Sequence, residues 1–313
     1  MIPLPEDYGT EILRIVAGSN LHGTNIGTGD RDEVGIYVER PESTIGLNLR
    51  KDGVRRDKIW VFRSAGGENP SGENDVDLTI HSLRHWLGLA ANGNPNSQLL
   101  LFAPVSKVIY ENGLGEDLRT HPDWFVSRRC GEAHLGFFRE QRARLTGDRG
   151  RAGRVRERGL CENCVGEGVV HYGTDEHGGA EQCPLCGGSG KNPDWKYAMH
   201  MLRLVWQGVE MMKTGHLQLP IPGLLGARLR AVRSGEVSME DVLDEAASAE
   251  AELEKLVANS TLPEHANYEA IEEWMIDAHL LTWEMSTCPR DHSRYCCAEH
   301  AHHVMPHTGC ILR

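Results

Sequence analysis

The first hundred residues alternate short apolar runs with polar turns. Four segments rich in Val and Ile are bounded by Gly, Asp, Asn or Ser, which is typical of β-strands; they are EILRIVAG from Glu11, DEVGIYV from Asp32, KIWVFRS from Lys58 and DVDLTIHSL from Asp75. After the last of them, SLRHWLGLAANG has apolar residues at helical spacing and ends at Asn92-Gly93, a common C-terminal helix signal. The pattern predicts a sheet-bearing domain in which a strand is followed by a helix.

From Pro122 onward the apolar spacing becomes that of helices. Three long segments show it, at 121–145, 194–215 and 238–260, and Ser238 with Asp241 has the pattern of an N-terminal cap. We therefore predict an α+β protein, in which a small mixed sheet precedes a helical domain. The predicted boundaries are 1–115 for the sheet domain, 116–285 for the helical domain, 146–192 for an insertion into it and 286–313 for a C-terminal tail.

Length and composition limit the class of protein. With 313 residues, 40% hydrophobic and 25% charged, the chain is expected to form about two domains. This composition excludes collagen, coiled coils and wholesale disorder. No run of about 18 apolar residues occurs, and the start lacks the basic-then-apolar order of a secretory signal. We expect a soluble, cytoplasmic protein without a membrane span.

The formal net charge of −12 is unevenly distributed. Residues 236–277 contain 13 Asp and Glu against one Lys, which accounts for −12 and leaves the rest of the chain neutral. Residues 139–160 contain eight Arg against three acids. The net charge therefore does not exclude a nucleic acid partner.

Two aspartates, Asp30 and Asp32, begin the second predicted strand, and a small-residue turn, Gly18-Ser19, follows the first. Residues i and i+2 of a strand share a face, and neighbouring carboxylates repel unless a cation lies between them. Mg²⁺ prefers carboxylate and phosphate oxygens and suits phosphoryl chemistry. Glycine allows close backbone approach to phosphate, and a hydroxyl with amide N–H groups binds its oxygens. The alternative is that both aspartates only cap a loop.

A two-ion site normally includes a third acid, and Asp77 is the first candidate. In DVDLTIHSL the apolar residues alternate, so Asp77 faces away from them. Asp75 has the same parity and is the second candidate.

The helix predicted at 194–215 has two faces. One is apolar, and the other carries Lys196, His200, Arg203 and Gln207 at positions i, i+4, i+7 and i+11. A row of this kind is either a solvated surface or a set of cationic groups that binds an anion.

Two copies of CxxCxGxG, CENCVGEG and CPLCGGSG, lie in the insertion. Two CxxC turns bring four thiolates to one ion in a closed tetrahedral site that is typical of structural Zn²⁺. We predict one structural zinc, and the pair resembles the cysteine-rich repeats of DnaJ-type chaperones. Four free cysteines are the alternative, and a redox pair is disfavoured because the βαβ context is missing. The predicted zinc ligands are Cys161, Cys164, Cys183 and Cys186.

Two further stretches leave alternatives open. The arginines beside the insertion are either contacts for phosphates of RNA or a solvated basic loop; they are Arg139, Arg142, Arg144, Arg149, Arg151, Arg154, Arg156 and Arg158. The tail from Ser286 holds four Cys and five His, which either bind a second metal or form a loosely ordered segment.

The string GSNLHGTNIGTGDRDEVGIYV, residues 18–38, resembles the nucleotidyltransferase superfamily that includes DNA polymerase beta. The resemblance is greatest to predicted nucleotidyltransferases associated with RNA repair in bacteria and phages. SLRHWLGLAANGNPNSQLLLFAP and NPDWKYAMHMLRLVWQGVEMMKTGHLQLP, with the helix from Ser238, extend it over about 11–283 without the insertion. One departure is Gly29, where many members have Ser before the first aspartate.

The resemblance implies transfer of a nucleoside monophosphate from an NTP to a hydroxyl, with release of pyrophosphate. Carried over residue by residue, Gly18 and Ser19 hold triphosphate oxygens. Mg²⁺ or Mn²⁺ is held by Asp30, Asp32 and Asp77, and Asp77 also helps to deprotonate the acceptor. In relatives the helical domain closes over the nucleotide, which assigns the triphosphate to the helix residues Lys196, His200 and Arg203.

The acceptor implied by the resemblance is RNA. Two rival hypotheses remain. The first is an enzyme that transfers AMP to a protein side chain, and the second is an inactive, zinc-dependent RNA-binding adaptor. Intact Asp30 and Asp32 argue against the adaptor.

Overall fold

The computed structural model describes residues 2–5, 8–27, 29–45, 59–65, 75–146, 160–161, 163–172, 179–186, 188, 190 and 192–287. The chain divides into two compact units. The sheet unit is formed within Met1–Gly23, Gly27–Val126 and His265–Arg313, and the helical unit within Thr24–Ile26 and Ser127–Glu264.

A five-stranded mixed sheet is the centre of the sheet unit, which confirms the predicted fold class. Its strands are β1 (Gly9–Val16), β2 (Arg31–Glu39), β3 (Ile59–Arg63), β4 (Val76–Ser82) and β5 (Val108–Glu111). Their order is β3-β4-β2-β1-β5, with β2 and β4 parallel and the other neighbouring pairs antiparallel. The parallel pair in the middle places the N-terminal ends of β2 and β4 side by side.

Alternation along the strands separates the two faces of the sheet. Tyr37, Leu78 and Ile80 are buried on one face, where they pack with partly buried apolar residues that include Tyr8 and Trp60. Because successive side chains point to opposite sides, Asp77 lies on the other face.

Among the described residues, six α-helices belong to the sheet unit. They are α1 (Gly18–His22), α2 (Pro41–Thr44), α3 (Leu83–Ala91), α4 (Pro95–Phe102), α5 (Gly113–Arg119) and α10 (Tyr268–Thr287). Trp86 of α3 is fully buried, and its indole N–H donates to the Ser97 carbonyl at 3.1 Å. The side chains of Asn94 and Asn112 accept backbone N–H groups at the starts of α4 and α5.

Helix α10 lies in the sheet unit, whereas the sequence pattern assigned residues up to 285 to the helical domain. Its contacts explain the difference, because three of its side chains bond to the sheet unit. His279 Nε2 lies 3.2 Å from Glu39 Oε2, and the indole N–H groups of Trp274 and Trp283 donate to Asp117 and to the Glu39 carbonyl. These partners are more than 150 residues away along the chain, so helical spacing alone does not reveal them.

The helical unit is built around α7 (Trp195–Thr214), which packs against α6 (Arg128–Thr146), α8 (Gly223–Ser234) and α9 (Met239–Ala258). The predicted cap is present, since the Ser238 hydroxyl accepts the Asp241 N–H at 3.0 Å. A Cβ at Gly208 would lie 2.6 Å from a Leu253 methyl and 2.8 Å from His134 Cβ. Glycine at this position therefore allows α6 and α9 to approach α7 closely.

The insertion contains a two-stranded antiparallel sheet, β6 (Val169–Tyr172) and β7 (Gly179–Gln182). The Met239 N–H at the start of α9 donates to the Pro184 carbonyl at 3.2 Å, which links the insertion to the helices. The Cys/His tail beyond Thr287 lies outside the described residues. In the part of the chain that is described, no helix has the length and apolar character needed to cross a bilayer.

Candidate active site

Three carboxylates meet at the N-terminal ends of β2 and β4. Asp32 and Asp77 are direct neighbours in the parallel β2–β4 register, and Asp30 lies two residues before Asp32. One oxygen from each of Asp30, Asp32 and Asp77 lies within 4.8 Å of the others, and all three residues are half-buried. The register explains this convergence, because the strands bring positions 45 residues apart in sequence to the same height on one face.

Asp75, the second candidate, is placed differently. Its carboxylate accepts the Ser64 hydroxyl at 2.8 Å, and its carbonyl accepts the Arg31 N–H at 2.7 Å. Within the described residues, the acidic group that meets metal-ligand spacing contains Asp77 and not Asp75.

The carboxylate group fits a hard divalent cation. Mg²⁺ binds oxygens at about 2.1 Å, so ligands of one ion lie up to about 4.2 Å apart, and small side-chain rotations bring these oxygens to that spacing. Three like charges at this separation repel, and a divalent cation between them removes the repulsion. Partial exposure leaves coordination positions for substrate oxygens.

The start of α1, directly after β1, lies against Asp32, and its first two residues, Gly18 and Ser19, are called the Gly18 turn. Gly18 has φ +58°, and a Cβ there would lie 1.9 Å from Asp32 Oδ2. Only glycine satisfies both conditions. The Ala17 N–H donates to the Asp32 carbonyl at 2.8 Å, which fixes the turn against the start of β2 and leaves Gly18 and Ser19 half-buried. At Gly29, by contrast, a Cβ would meet nothing within 4 Å.

The strand beyond Asp77 adds a cation that the sequence analysis did not single out. Arg63 is the register partner of Asp77 across β3 and β4, and its Nε lies 4.0 Å from Asp77 Oδ2. Thr79 and His81 share the face of Asp77. Burial, followed by the charge of His85, lowers the pKa of His81 to about 4. Local spacing gives no signal for Arg63, because its proximity to Asp77 depends on strand pairing.

On α7 the polar row is only partly solvated. Lys196 is exposed, but Arg203 and Gln207 are 6% and 2% exposed, and the Arg203 guanidinium donates to Gln207 Oε1 at 2.7 Å. The purely surface interpretation is therefore wrong for Arg203 and Gln207. The helix is buried on most sides because α6, α8 and α9 surround it.

Burial and neighbouring cations govern the titration of this row. Burial lowers the pKa of Arg203 to about 10. Burial, and then the charges of Arg203, Lys196 and Arg233, lower the pKa of His200 to about 3. His134 of α6 is fully buried, and its pKa falls to about 4, chiefly through burial. Sequence reasoning missed His134 and Arg233, which lie on other helices.

Two nitrogens of this row and one nitrogen of His134 on α6 have no hydrogen-bond partner within the described residues. They are His134 Nε2, His200 Nδ1 and Arg203 Nε. Buried polar groups without partners are costly, and the neighbours that depress the pKa of His200 are all cationic. The arrangement suits an anion with several oxygens, such as a phosphate.

The four cysteines of the insertion form a buried cluster. Sγ of Cys161 lies 3.8 Å from that of Cys183, and Sγ of Cys164 lies 3.7 Å from that of Cys186. These separations match the edges of a tetrahedron of thiolates around Zn²⁺ with Zn–S bonds of about 2.3 Å.

Hydrogen bonds favour the thiolate form in part of the cluster. Although burial opposes it, the Asn163 amide at 3.3 Å and backbone N–H groups lower the pKa of Cys183 to about 6. The two CxxCxGxG turns also bond to each other, since Cys161 N–H donates to the Gly190 carbonyl and Cys183 N–H to the Gly168 carbonyl, both at 2.9 Å. The arrangement fits a closed structural metal site without an open position for substrate.

The predicted RNA-binding arginines that are described have partners within the protein. Arg139 pairs with Glu250 and Glu254, Arg142 pairs with Glu250, and Arg144 pairs with Glu140. The acidic stretch that gives the chain its net charge therefore neutralises part of the basic stretch. The other five predicted arginines, from Arg149 to Arg158, lie outside the described residues.

Comparison with known proteins identifies the family. No curated protein and no solved structure gives a significant match. A family model described as the RNA repair pathway DNA polymerase beta family matches residues 6–277, which include the carboxylates, the Gly18 turn, the polar row and the cysteine insertion. The chain belongs to the RNA repair pathway DNA polymerase beta family.

Proposed function

We propose that the protein is a metal-dependent nucleotidyltransferase that transfers a nucleoside monophosphate from an NTP to a hydroxyl of RNA. The observation that carries the proposal is the convergence of Asp30, Asp32 and Asp77 beside the Gly18 turn. Carboxylates that hold divalent cations next to a phosphate-binding turn are what phosphoryl transfer needs. Membership of an RNA repair family supports RNA as the acceptor.

In the proposed reaction the acceptor oxygen attacks the α-phosphorus of the NTP. The new O–P bond forms as the bond between the α-phosphorus and its bridging oxygen to the β-phosphate breaks, and pyrophosphate leaves. Asp77 accepts the proton of the acceptor hydroxyl. Asp30, Asp32 and Asp77 would hold Mg²⁺ or Mn²⁺, and the bound ion would supply positive charge to the phosphoryl oxygens.

Two groups of residues are assigned to the nucleotide. Gly18 and Ser19 offer backbone N–H groups and a hydroxyl to phosphate oxygens. In the helical unit, Lys196, His200 and Arg203 are assigned to the triphosphate, and the buried, unpartnered nitrogens of His200 and Arg203 support this assignment. The zinc proposed at the four cysteines has a structural role only.

The metal-dependent step is tested by incubating the protein with each radiolabelled NTP and Mg²⁺, with and without RNA. Label on RNA supports the proposal, and label on protein supports an AMP-transferase. We expect Asp30→Asn and Asp32→Asn to lower transfer at least about 100-fold, as loss of a metal ligand does. Asp75→Asn is the matched control because its carboxylate lies outside the cluster. Equal activity in all variants would contradict the proposal. If no label depends on Asp30 and Asp32, the result would favour an inactive RNA-binding adaptor.

The role of the polar row is tested with Arg203→Met. Replacing a buried cation by an apolar side chain of similar length is expected to leave the free energy of unfolding unchanged or raise it by about 1 kcal/mol. Nucleotide affinity is expected to fall about tenfold, because one charge-assisted contact is lost. A thermal melt and equilibrium nucleotide binding measure the two effects. A variant that is less stable but binds nucleotide normally would assign Arg203 to structure alone.

A further inference from the structure

The sheet order gives the carboxylate group two distinct sides. The Gly18 turn follows β1 and touches Asp32 on β2, while Asp77 on β4 has β3 as its other neighbour. Across the sheet, the Gly18 turn, Asp32, Asp77 and Arg63 therefore follow one another in that order. Neighbouring strands are about 4.8 Å apart, so Arg63 lies on the opposite side of the carboxylates from the proposed phosphate-binding turn.

Phosphoryl transfer needs the attacking and leaving oxygens roughly in line on opposite sides of the phosphorus. If pyrophosphate leaves on the side of Gly18 and Ser19, the acceptor hydroxyl arrives from the side of Asp77 and β3. Among the described residues, Arg63 supplies a cation on that side, with its Nε 4.0 Å from Asp77 Oδ2 and 53% of its side chain exposed. Val61, two residues earlier on the same face, is 57% exposed, so this part of the sheet surface is accessible.

Resting on the proposed function, we infer that Arg63 binds a phosphate of the acceptor next to the hydroxyl that reacts. The acceptor class is a nucleic acid end, in which the terminal hydroxyl is one ribose away from a phosphodiester. An Arg guanidinium presents several donors in one plane, which matches phosphate oxygens. A protein hydroxyl has no such anion beside it, so Arg63 selects for RNA and against a side-chain acceptor.

The ion pair with Asp77 allows Arg63 to position the acceptor hydroxyl. The guanidinium Nε lies 4.0 Å from Asp77 Oδ2, at the outer limit of an ion pair, and the exposed part of the guanidinium leaves donors for a second anion. Contact with both Asp77 and an acceptor phosphate positions the hydroxyl at the carboxylate that accepts its proton. Arg63 is thus a positioning and specificity residue and not a metal ligand.

The matched control for Arg63 is Arg31. The Arg31 side chain is exposed to a similar degree, at 49%. Arg31 directly precedes Asp32 on β2, so it is also close to the cluster. It points to the opposite face, where its Nε contacts Glu33 Oε1 at 2.9 Å. Arg31→Gln removes the same charge near the same strands without touching the acceptor side.

The test compares Arg63→Gln, Arg63→Lys and Arg31→Gln with two acceptors, a short RNA with a free 3′ hydroxyl and a ribonucleoside without phosphate. For the RNA acceptor, Arg63→Gln is expected to raise KM about tenfold, the effect of one charge-assisted hydrogen bond. Arg63→Lys is expected to restore part of the loss, and Arg31→Gln to have KM within about twofold of the unchanged protein. The KM for NTP and the KM for the ribonucleoside are expected to stay the same in all three.

Three results would overturn the inference. The first is a KM for RNA that is the same in Arg63→Gln and Arg31→Gln. The second is an equal rise in KM for RNA and for the ribonucleoside in Arg63→Gln, which would mean that Arg63 acts only through Asp77. The third is transfer by the unchanged protein to protein side chains alone. The first two leave the proposed nucleotidyltransferase activity standing, whereas absence of transfer by the unchanged protein to every acceptor would reject the proposed function itself.

Discussion

The carboxylate cluster and the cysteine cluster are both candidate metal sites, and they differ in every physical respect. The carboxylates are hard oxygen ligands, half-buried, on two strands that meet only in the folded sheet. The cysteines are soft ligands, buried, and held by two local turns that bond to each other. An open set of oxygens can share its ion with a substrate, while a closed set of thiolates fixes a local structure. In the proposed function, the carboxylates serve the reaction and the cysteines stabilise the insertion.

The largest expected effect is loss of metal from the closed site. Cys183→Ser removes one of the four proposed zinc ligands. Since zinc binding and local folding are coupled, bound zinc should fall from about one per chain to near zero after dialysis against a chelator. Elemental analysis measures the zinc, and hydrogen exchange should show loss of protection in β6 and β7 with β2 and β4 unaffected. Loss of protection in β2 and β4 would mean that the two sites depend on each other.

The next largest effect is expected from a substitution that disrupts the carboxylate cluster and leaves the cysteine cluster unchanged. Gly18→Ala places a Cβ 1.9 Å from Asp32 Oδ2 at φ +58°, so the turn and the carboxylate must move apart. We expect transfer activity to fall about 100-fold, because misplacement by about 1 Å has that effect on an active site. Zinc content should not change. Gly29→Ala is the control, since nothing lies within 4 Å of a Cβ there, and an equal loss in the control would contradict the account.

A smaller effect is expected from Asn163, which donates a hydrogen bond to a cysteine of the cluster. The Asn163 amide donates to Cys183 Sγ at 3.3 Å and lowers the pKa of that thiol. Asn163→Ala should weaken zinc affinity about tenfold, at the lower end of what loss of a partner to a metal ligand causes. Competition with a colorimetric zinc chelator measures the change. Unchanged affinity would show that the amide does not support the thiolate.

The smallest effect concerns Glu39, a carboxylate at the end of β2 that lies outside the cluster. Although burial opposes it, the bonds from His279 and Ser82 lower the pKa of Glu39 below its ordinary value of 4.5. The stability that Glu39 contributes is therefore present above pH 4.5 and is lost as the pH falls through the lowered pKa. Glu39→Gln should reduce the free energy of unfolding at pH 7 by about 1 kcal/mol and should remove this part of the acid dependence. Denaturant unfolding at pH 3 to 7 measures it, and a parallel pH profile in both proteins would contradict the role.

The two sites also differ in how far the sequence alone predicts them. The cysteine site depends on two local CxxCxGxG turns, so spacing along the chain was sufficient to name its four residues. The carboxylates lie 45 positions apart, and alternation in DVDLTIHSL indicated that Asp77 shares a face with Thr79 but left Asp75 as an alternative. The β2–β4 register pairs Asp32 with Asp77 and so brings Asp77, rather than Asp75, into the carboxylate cluster.

Other features depended on contacts that no local pattern encodes. Helical spacing found α6, α7 and α9, but the location of α10 in the sheet unit depends on the bonds of Trp274, His279 and Trp283. The proximity of Arg63 to Asp77 follows from strand pairing. The row on α7 was recognised, but its burial at Arg203 follows from three surrounding helices. Sequence patterns therefore predicted elements and local motifs, whereas the partners of charged side chains required the fold.

The central claim is that Asp30, Asp32 and Asp77 form one divalent cation site. Mn²⁺ binding followed by electron paramagnetic resonance tests it most directly, with the unchanged protein, Asp32→Asn and Asp75→Asn compared in parallel after zinc is loaded. We expect the unchanged protein and Asp75→Asn to bind Mn²⁺ alike, and Asp32→Asn not to bind it. Equal Mn²⁺ binding in all three, or loss in Asp75→Asn alone, would contradict it.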